Sequence, residues 1–296
     1  MAHTFGRKGA RVLSRLTAAA IAVALTGITA GTAAATGPSP DYRPTVAAPY
    51  FPLEATKSTG EVFVYEPNGQ GGFGDREQIT GVDSRDFTAT VNVDHAQNGY
   101  YDSAYFRTTD GTLVYSPEGK DGADEPAPIR IGGGWNIYDR ILSPGNIGGT
   151  KEADLLARDK SGVLWLYQAR PDGTLGDRVR VGGGWDIFTD IVGKGDLNGD
   201  GKADMLAKDK NGDLWFYKGT GDVKDPFASR VKVGGGWNIF DKLIATGDVN
   251  LDGRSDLLAR DKSGVLWLYK GNGKQTDPFE SRVRIGGGWG QYNDLF

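Results

Sequence analysis

The chain alternates short apolar runs with glycine-rich and acidic turns, and beyond its first 35 residues no stretch carries a helical period. The clearest runs are "GEVFVY", "GTLVY", "GVLWLY", "GDLWFY" and "GVLWLY". They end at Tyr65, Tyr115, Tyr167, Tyr217 and Tyr269, spaced by 50, 52, 50 and 52 residues. In the third run Val163, Trp165 and Tyr167 fall on one side and Leu164 and Leu166 on the other. Both faces are apolar, which predicts a strand sandwiched between two layers. The runs "RVRV", "RVKV" and "RVRI" instead alternate a cation with a branched apolar residue. They place Arg178, Arg180, Arg230, Lys232, Arg282 and Arg284 on the outward face of a strand at an outer edge, where charge discourages pairing with other chains. The intervening turns, "RDKSG" and "KDKNG", end in Gly162, Gly212 and Gly264, which suit the positive φ of a hairpin bulge.

Five copies of a unit of about 50 residues, each with about four short strands, predict an all-β chain: a five-bladed β-propeller of four-stranded antiparallel blades over residues 48–296. The C-terminal "GGGWGQYNDLF" stops where a further acidic loop would start, and the first repeat has no "GGGW" before it. Residues 290–296 are therefore expected to pair with strands from the 48–66 region and close the ring.

Acidic loops follow the "GGGW" strands. In "GDLNGDGKAD" and "GDVNLDGRSD" oxygen-bearing side chains occupy alternate positions: Asp196, Asn198, Asp200 and, 52 residues on, Asp248, Asn250, Asp252. Gly201 and Gly253 allow the sharp turn that a calcium loop requires. An EF-hand would need Glu at the twelfth position, where Ala207 and Ala259 stand. The acid comes instead at the ninth, as Asp204 and Asp256, and the carbonyls of Lys202 and Arg254 complete the expected set for a structural Ca2+. Loop 94–102 keeps Asp94, Asn98 and Asp102 but has Ala96 at the third place, a weaker site. Loop 146–154 keeps only Asp154 with Asn146 and is expected to hold no ion.

Composition narrows the function. The chain has no cysteine, so disulfides and Cys-ligated zinc are excluded. Arg7, Lys8, Arg11 and Arg15, an apolar run to about Ile28 and "TAAA" have the layout of a secretory signal over residues 1–35, too short in its apolar part to span a bilayer. Residues 36–47 read as a proline-rich arm. Losing those four cations from 34 leaves 30 basic against 38 acidic residues, a net charge of −8. Such a balance argues against a nucleic-acid partner. A secreted, extracellular monomer with no membrane span in the mature chain is expected.

Trp135, Trp185, Trp237 and Trp289 each follow three glycines, and Asn136, Asp186 and Asn238 follow the first three. An aromatic face beside an amide or carboxylate suits a sugar ring. The same tryptophans would equally seal one blade against the next, and the residues alone leave both readings open. In the first repeat "TGVDSRDF" stands where the tryptophan should lie.

The "GDxNxDGxxDLL" lines resemble the FG-GAP or VCBS-type repeats of bacterial secreted proteins and integrin propellers, a resemblance that implies calcium in the acidic loops. "GGGWxxFxxL" with "GxLW(L/F)Y" about 25 residues later is similar to the five-bladed tachylectin-2 type propeller. That likeness implies a lectin for N-acetylated sugars. No serine-centred elbow or phosphate loop is present, and His95 is the one histidine beyond the signal, read as a solvated loop residue. The expectation is a non-enzymatic, multivalent binder of a polysaccharide or glycan, N-acetylated cell-wall or chitin-like polymers included. A protein-interaction scaffold is the alternative, and a polysaccharide-degrading enzyme a more distant one.

Overall fold

The computed structural model describes residues 48–117 and 126–296; the expected signal and arm lie outside the described residues. Blade I contains β1 (Leu53–Thr56), β2 (Val62–Tyr65) and β3 (Glu77–Ile79), and blade II contains β4 (Phe87–Val93), β5 (Ser103–Thr108), β6 (Leu113–Pro117) and β7 (Ile129–Gly132). Blade III follows with β8 (Tyr138–Gly145), β9 (Asp154–Asp159), β10 (Leu164–Tyr167) and β11 (Val179–Gly182). Blade IV has β12 (Phe188–Val192), β13 (Met205–Asp209), β14 (Leu214–Tyr217) and β15 (Val231–Gly234), and blade V has β16 (Phe240–Gly247), β17 (Asp256–Asp261), β18 (Leu266–Tyr269) and β19 (Val283–Gly286). The last strand, β20 (Asp294–Leu295), returns to blade I.

All five sheets are four-stranded and antiparallel, and together they form a five-bladed propeller. The first strands of the blades line the centre, with β4 beside β8 and β12 beside β16. Closure occurs as expected from the two ends of the repeat: Ala55 pairs with Leu295 and Thr56 with Asp294. The backbone of Glu54 also exchanges two hydrogen bonds with Phe296, at 2.8 and 3.0 Å.

Alternation explains why the third strand of each blade is stable where it sits. Leu164 and Leu166 are wholly buried against blade IV, while Trp165 and Tyr167 turn toward blade II. The indole N–H of Trp165 donates to Asp159 Oδ2 at 2.8 Å, and Arg178 from the outer strand lies 4.2 Å over its ring. Trp215 with Arg230 and Trp267 with Arg282 repeat the stack, so the outward cations of the edge strands also cover a neighbouring aromatic. Gly162, Gly212 and Gly264 have φ of 78°, 80° and 78°, as the hairpins require. At Gly162 a Cβ would lie 2.7 Å from Asp186 Oδ1, so the tight turn also needs the missing side chain.

One repeat departs from the sequence alignment. In β10 the residue paired with Arg158 is Leu164, and in β6 the residue paired with Arg107 is Leu113. Tyr115 therefore corresponds to Leu166, and Ser116 to Tyr167. "GTLVY" is one residue shorter than "GVLWLY", which moves its tyrosine to the opposite face, toward blade III.

Candidate functional site

The tryptophan turns and the acidic loops stand at opposite ends of the strands. On the first end, each "GGG" lets the chain leave an outer strand, and a single 3-10 turn (Trp135–Ile137, Trp185–Ile187, Trp237–Ile239, Trp289–Gln291) enters the next blade. The indoles are buried, with 7%, 6%, 8% and 8% of their residue surface exposed. They stack on Tyr167, Tyr217, Tyr269 and Tyr65 with ring centroids 4.8, 4.7, 4.6 and 4.7 Å apart. The reading of Trp135, Trp185, Trp237 and Trp289 as sugar platforms thus gives way to that of blade seals: the neighbouring tyrosines already take the ring faces. A second tie spans each of these four junctions. Arg158 donates to the carbonyls of Trp185 and Phe188 at 3.0 and 2.7 Å, and Arg107, Lys208 and Arg260 cap the corresponding turns.

Above each buried indole the polar residue does reach solvent. Asn136, Asp186 and Asn238 are exposed, and beside them stand Ile137, Ile187 and Ile239, which expose 49%, 38% and 46% of their surface. These are three of the five large hydrophobics most exposed among the described residues. Sequence reasoning missed them because an isoleucine at the mouth of a strand reads as core. The fourth turn has Gly290 and Gln291 instead, so this patch occurs three times around one end of the ring.

At the other end the acidic loops share one scaffold. Asp204 is fully buried, and its carboxylate accepts the N–H of Leu197 at 3.0 Å and of Gly219 at 2.9 Å. Asp256 does the same with Val249 and Gly271, and Asp154 with Ile147, Gly148 and Ala169. The ninth-position acid therefore ties loop to hairpin in every blade from III to V, including the loop that lacks the other ligands. Asp196 accepts from Gly199 and Gly201 at 2.7 and 2.6 Å, and Asp248 from Gly253 at 2.6 Å. Asp94 and Asp102 accept backbone N–H groups in the same manner within loop 94–102, where Asn98 bonds the N–H of Tyr100.

Whether these loops suit a divalent cation can be judged from the donors. They are hard oxygens, and burial together with the neighbouring acids pushes Asp204 up to about 7, Asp256 to about 8 and Asp248 to about 6. A bound cation would offset that crowding, so the donor chemistry fits. Asp200, however, pairs with Lys218 Nζ at 2.9 Å, and Asn250 donates to Asp252 at 2.8 Å. Among the described residues no three His, Cys, Asp or Glu side chains converge on one point. Lys202 and Arg254 occupy the seventh positions.

His95 is half-buried rather than solvated. Its Nδ1 accepts the N–H of Ala153 at 3.1 Å, linking blades II and III, and burial lowers its pKa. In the channel, Lys194 Nζ donates to the Asn92 carbonyl at 3.0 Å and lies 4.3 Å over Phe51, beside a cavity of about 470 Å3 at the acidic-loop mouth. No helix among the described residues is long and apolar enough to cross a membrane.

Residues 196–259 match the FG-GAP-like repeat model. No curated protein matches the sequence. Among solved structures the chain is similar to the BP39L lectin from Burkholderia pseudomallei, with 12% identity and a TM-score of 0.49 over 79% of this chain and 69% of that one. A mutant of AofleA from Arthrobotrys oligospora gives 11% identity and a TM-score of 0.48 over 81% and 73%. Prp20p from Saccharomyces cerevisiae gives 14% identity and 0.39, with 61% of its own length covered. The chain is thus a five-bladed β-propeller that carries an FG-GAP-like repeat in its fourth and fifth blades.

Proposed function

We propose that this protein is a secreted, non-catalytic, calcium-stabilised propeller that binds a carbohydrate polymer at repeated sites on one end of the ring. The observation that carries the reading is the threefold patch Asn136/Ile137, Asp186/Ile187 and Asn238/Ile239. Each sets an exposed aliphatic surface beside an amide or carboxylate, at the same place in successive blades. The C–H face of a sugar can rest on the isoleucine while its hydroxyls bond the neighbouring oxygen and nitrogen. A shallow patch binds one sugar weakly, but three on a rigid ring engage a polymer together and gain avidity. Exposed apolar side chains recurring in register are otherwise a liability that a soluble surface avoids.

Calcium has a structural role in this reading. In loop 196–204 Asp196, Asn198, Asp200, the Lys202 carbonyl and Asp204 would hold it, and in loop 248–256 Asp248, Asn250, Asp252, the Arg254 carbonyl and Asp256. A bound ion supplies positive charge that stabilises the gathered carboxylates, leaving the opposite end free to bind. A glycan array that includes chitin-like and other N-acetylated polymers, probed with and without calcium, tests the proposal. Signal for polymers over their monomers is the expected result. Absence of any sugar signal from the folded, calcium-loaded protein would turn the same three patches into a surface for a protein partner.

A further inference from the structure

Four of the five blade junctions share a stacked Trp–Tyr pair and a cation that caps the turn. The junction between blades I and II has neither. Its turn begins at Ser84, whose N–H donates to the Gly60 carbonyl at 2.9 Å just as that of Trp289 donates to Gly264 at 3.0 Å. Ser84 therefore stands in the tryptophan position. Ser116 stands in the tyrosine position, fully buried, with a hydroxyl that makes no hydrogen bond. Thr56 takes the place of the capping cation, since it pairs with Val62 as Arg260 pairs with Leu266.

A cavity of about 650 Å3 opens from this junction to the channel mouth, a size suited to a small ligand. Ser58, Ser84 and Thr88 give it hydroxyls, and Phe87 an apolar wall. Two of its cations are only loosely held. Lys57 makes no ion pair among the described residues, its ammonium lying 4.9 Å over the Phe63 ring; Arg140 donates to the Thr189 carbonyl at 3.4 Å, and its nearest carboxylate, Asp190, is 3.9 Å away and already held by Lys208 at 2.8 Å. Lys242 and Arg107, by contrast, are engaged, the one by Asp294 at 2.5 Å and the other by the Tyr138 carbonyl at 2.6 Å. Loosely held positive charge, beside the lining acids Glu54, Asp139 and Asp294, stands out in a chain of net charge −4.

We propose that the unsealed junction between blades I and II is a single binding site for a carboxylate-bearing sugar, a uronic acid unit of an acidic oligosaccharide. Lys57 and Arg140 meet its carboxylate, Phe87 its ring, and Ser58, Ser84 and Thr88 its hydroxyls. This site differs in place and chemistry from the three isoleucine patches. It does not depend on them.

Titration calorimetry with trigalacturonic acid, and with uncharged chitotriose as the comparator, tests the assignment. Trigalacturonic acid should bind, more weakly as salt rises, and chitotriose should not compete. Lys57→Gln and Arg140→Gln should each weaken binding at least about ten-fold, the loss of one charge-assisted hydrogen bond. Ser84→Trp restores the residue of the other junctions and should abolish binding without lowering the melting temperature. Ile137→Ala should leave trigalacturonate affinity unchanged, which separates this site from the polymer-binding patches. Failure of the wild-type protein to bind trigalacturonate, or full binding by a folded Ser84→Trp variant, overturns the proposal. If Ser84→Trp does not fold, unchanged affinity in Lys57→Gln overturns it alone.

Discussion

The indole of Trp185 lies 4.7 Å from the ring of Tyr217, tilted by 33°, in the seam between blades III and IV. Three other junctions repeat the pair, so ring cohesion is concentrated at these stacks. Trp185→Ala removes a large, buried aromatic from a packed interface and should lower stability by about 3 to 5 kcal/mol, read from urea denaturation. An unchanged midpoint would mean that the seam repacks around the loss.

The repeat, the blade count and the ring closure were legible in the sequence because hydrophobic alternation and glycine spacing are local. The fate of Trp185 was not, since three glycines before an aromatic suit a ligand platform and a buried seal equally; only the partner from the same blade, Tyr217, decides. Tyr115 misled for another reason. The tyrosines line up in the sequence, but one missing residue reverses its face, and a period of two carries no warning of that. Asp154 seemed a remnant of a lost metal loop, whereas its three backbone hydrogen bonds show what retains an acid there.

Asp154 accordingly gives a prediction. Its replacement by Ala leaves buried N–H groups of Ile147, Gly148 and Ala169 without an acceptor and should cost about 3 kcal/mol. The loss should be the same with calcium or with EDTA in the thermal melt. A calcium-dependent loss would make this loop an ion site instead.

The loops at 196–204 and 248–256 should behave differently. Chelation should lower the melting temperature of the wild-type protein, because the ion binds only the folded state. Asp252→Ala, at an exposed ligand, should shrink that response and reduce the calcium found by elemental analysis. A melting curve indifferent to EDTA contradicts the structural-ion reading.

Glu54 sets a pH dependence. It is buried at 1% exposure, accepts a hydrogen bond from Asn92 at 2.7 Å, and its pKa is pushed up to about 7, mainly by burial and further by nearby Glu66. A raised pKa means the folded state holds the proton more tightly than the unfolded one, so this stability is complete below the ordinary glutamate range and is lost as pH rises toward 7. Glu54→Gln keeps the acceptor oxygen for Asn92 and cannot ionise. It should therefore be more stable than wild type at pH 8, by on the order of 2 to 3 kcal/mol, with the gap closing by pH 5. Denaturation at the two pH values checks this, and a variant less stable at both refutes it.

On the proposed function, three equivalent patches act together on a polymer. Surface plasmon resonance on an immobilised chitin-like polymer, run with Ile137→Ala, the double variant adding Ile187→Ala and the triple variant adding Ile239→Ala, measures it directly. Affinity should fall at each step and vanish in the triple variant while the melting temperature stays constant, because these side chains are exposed. Equal binding by the triple variant and the wild type would contradict the account.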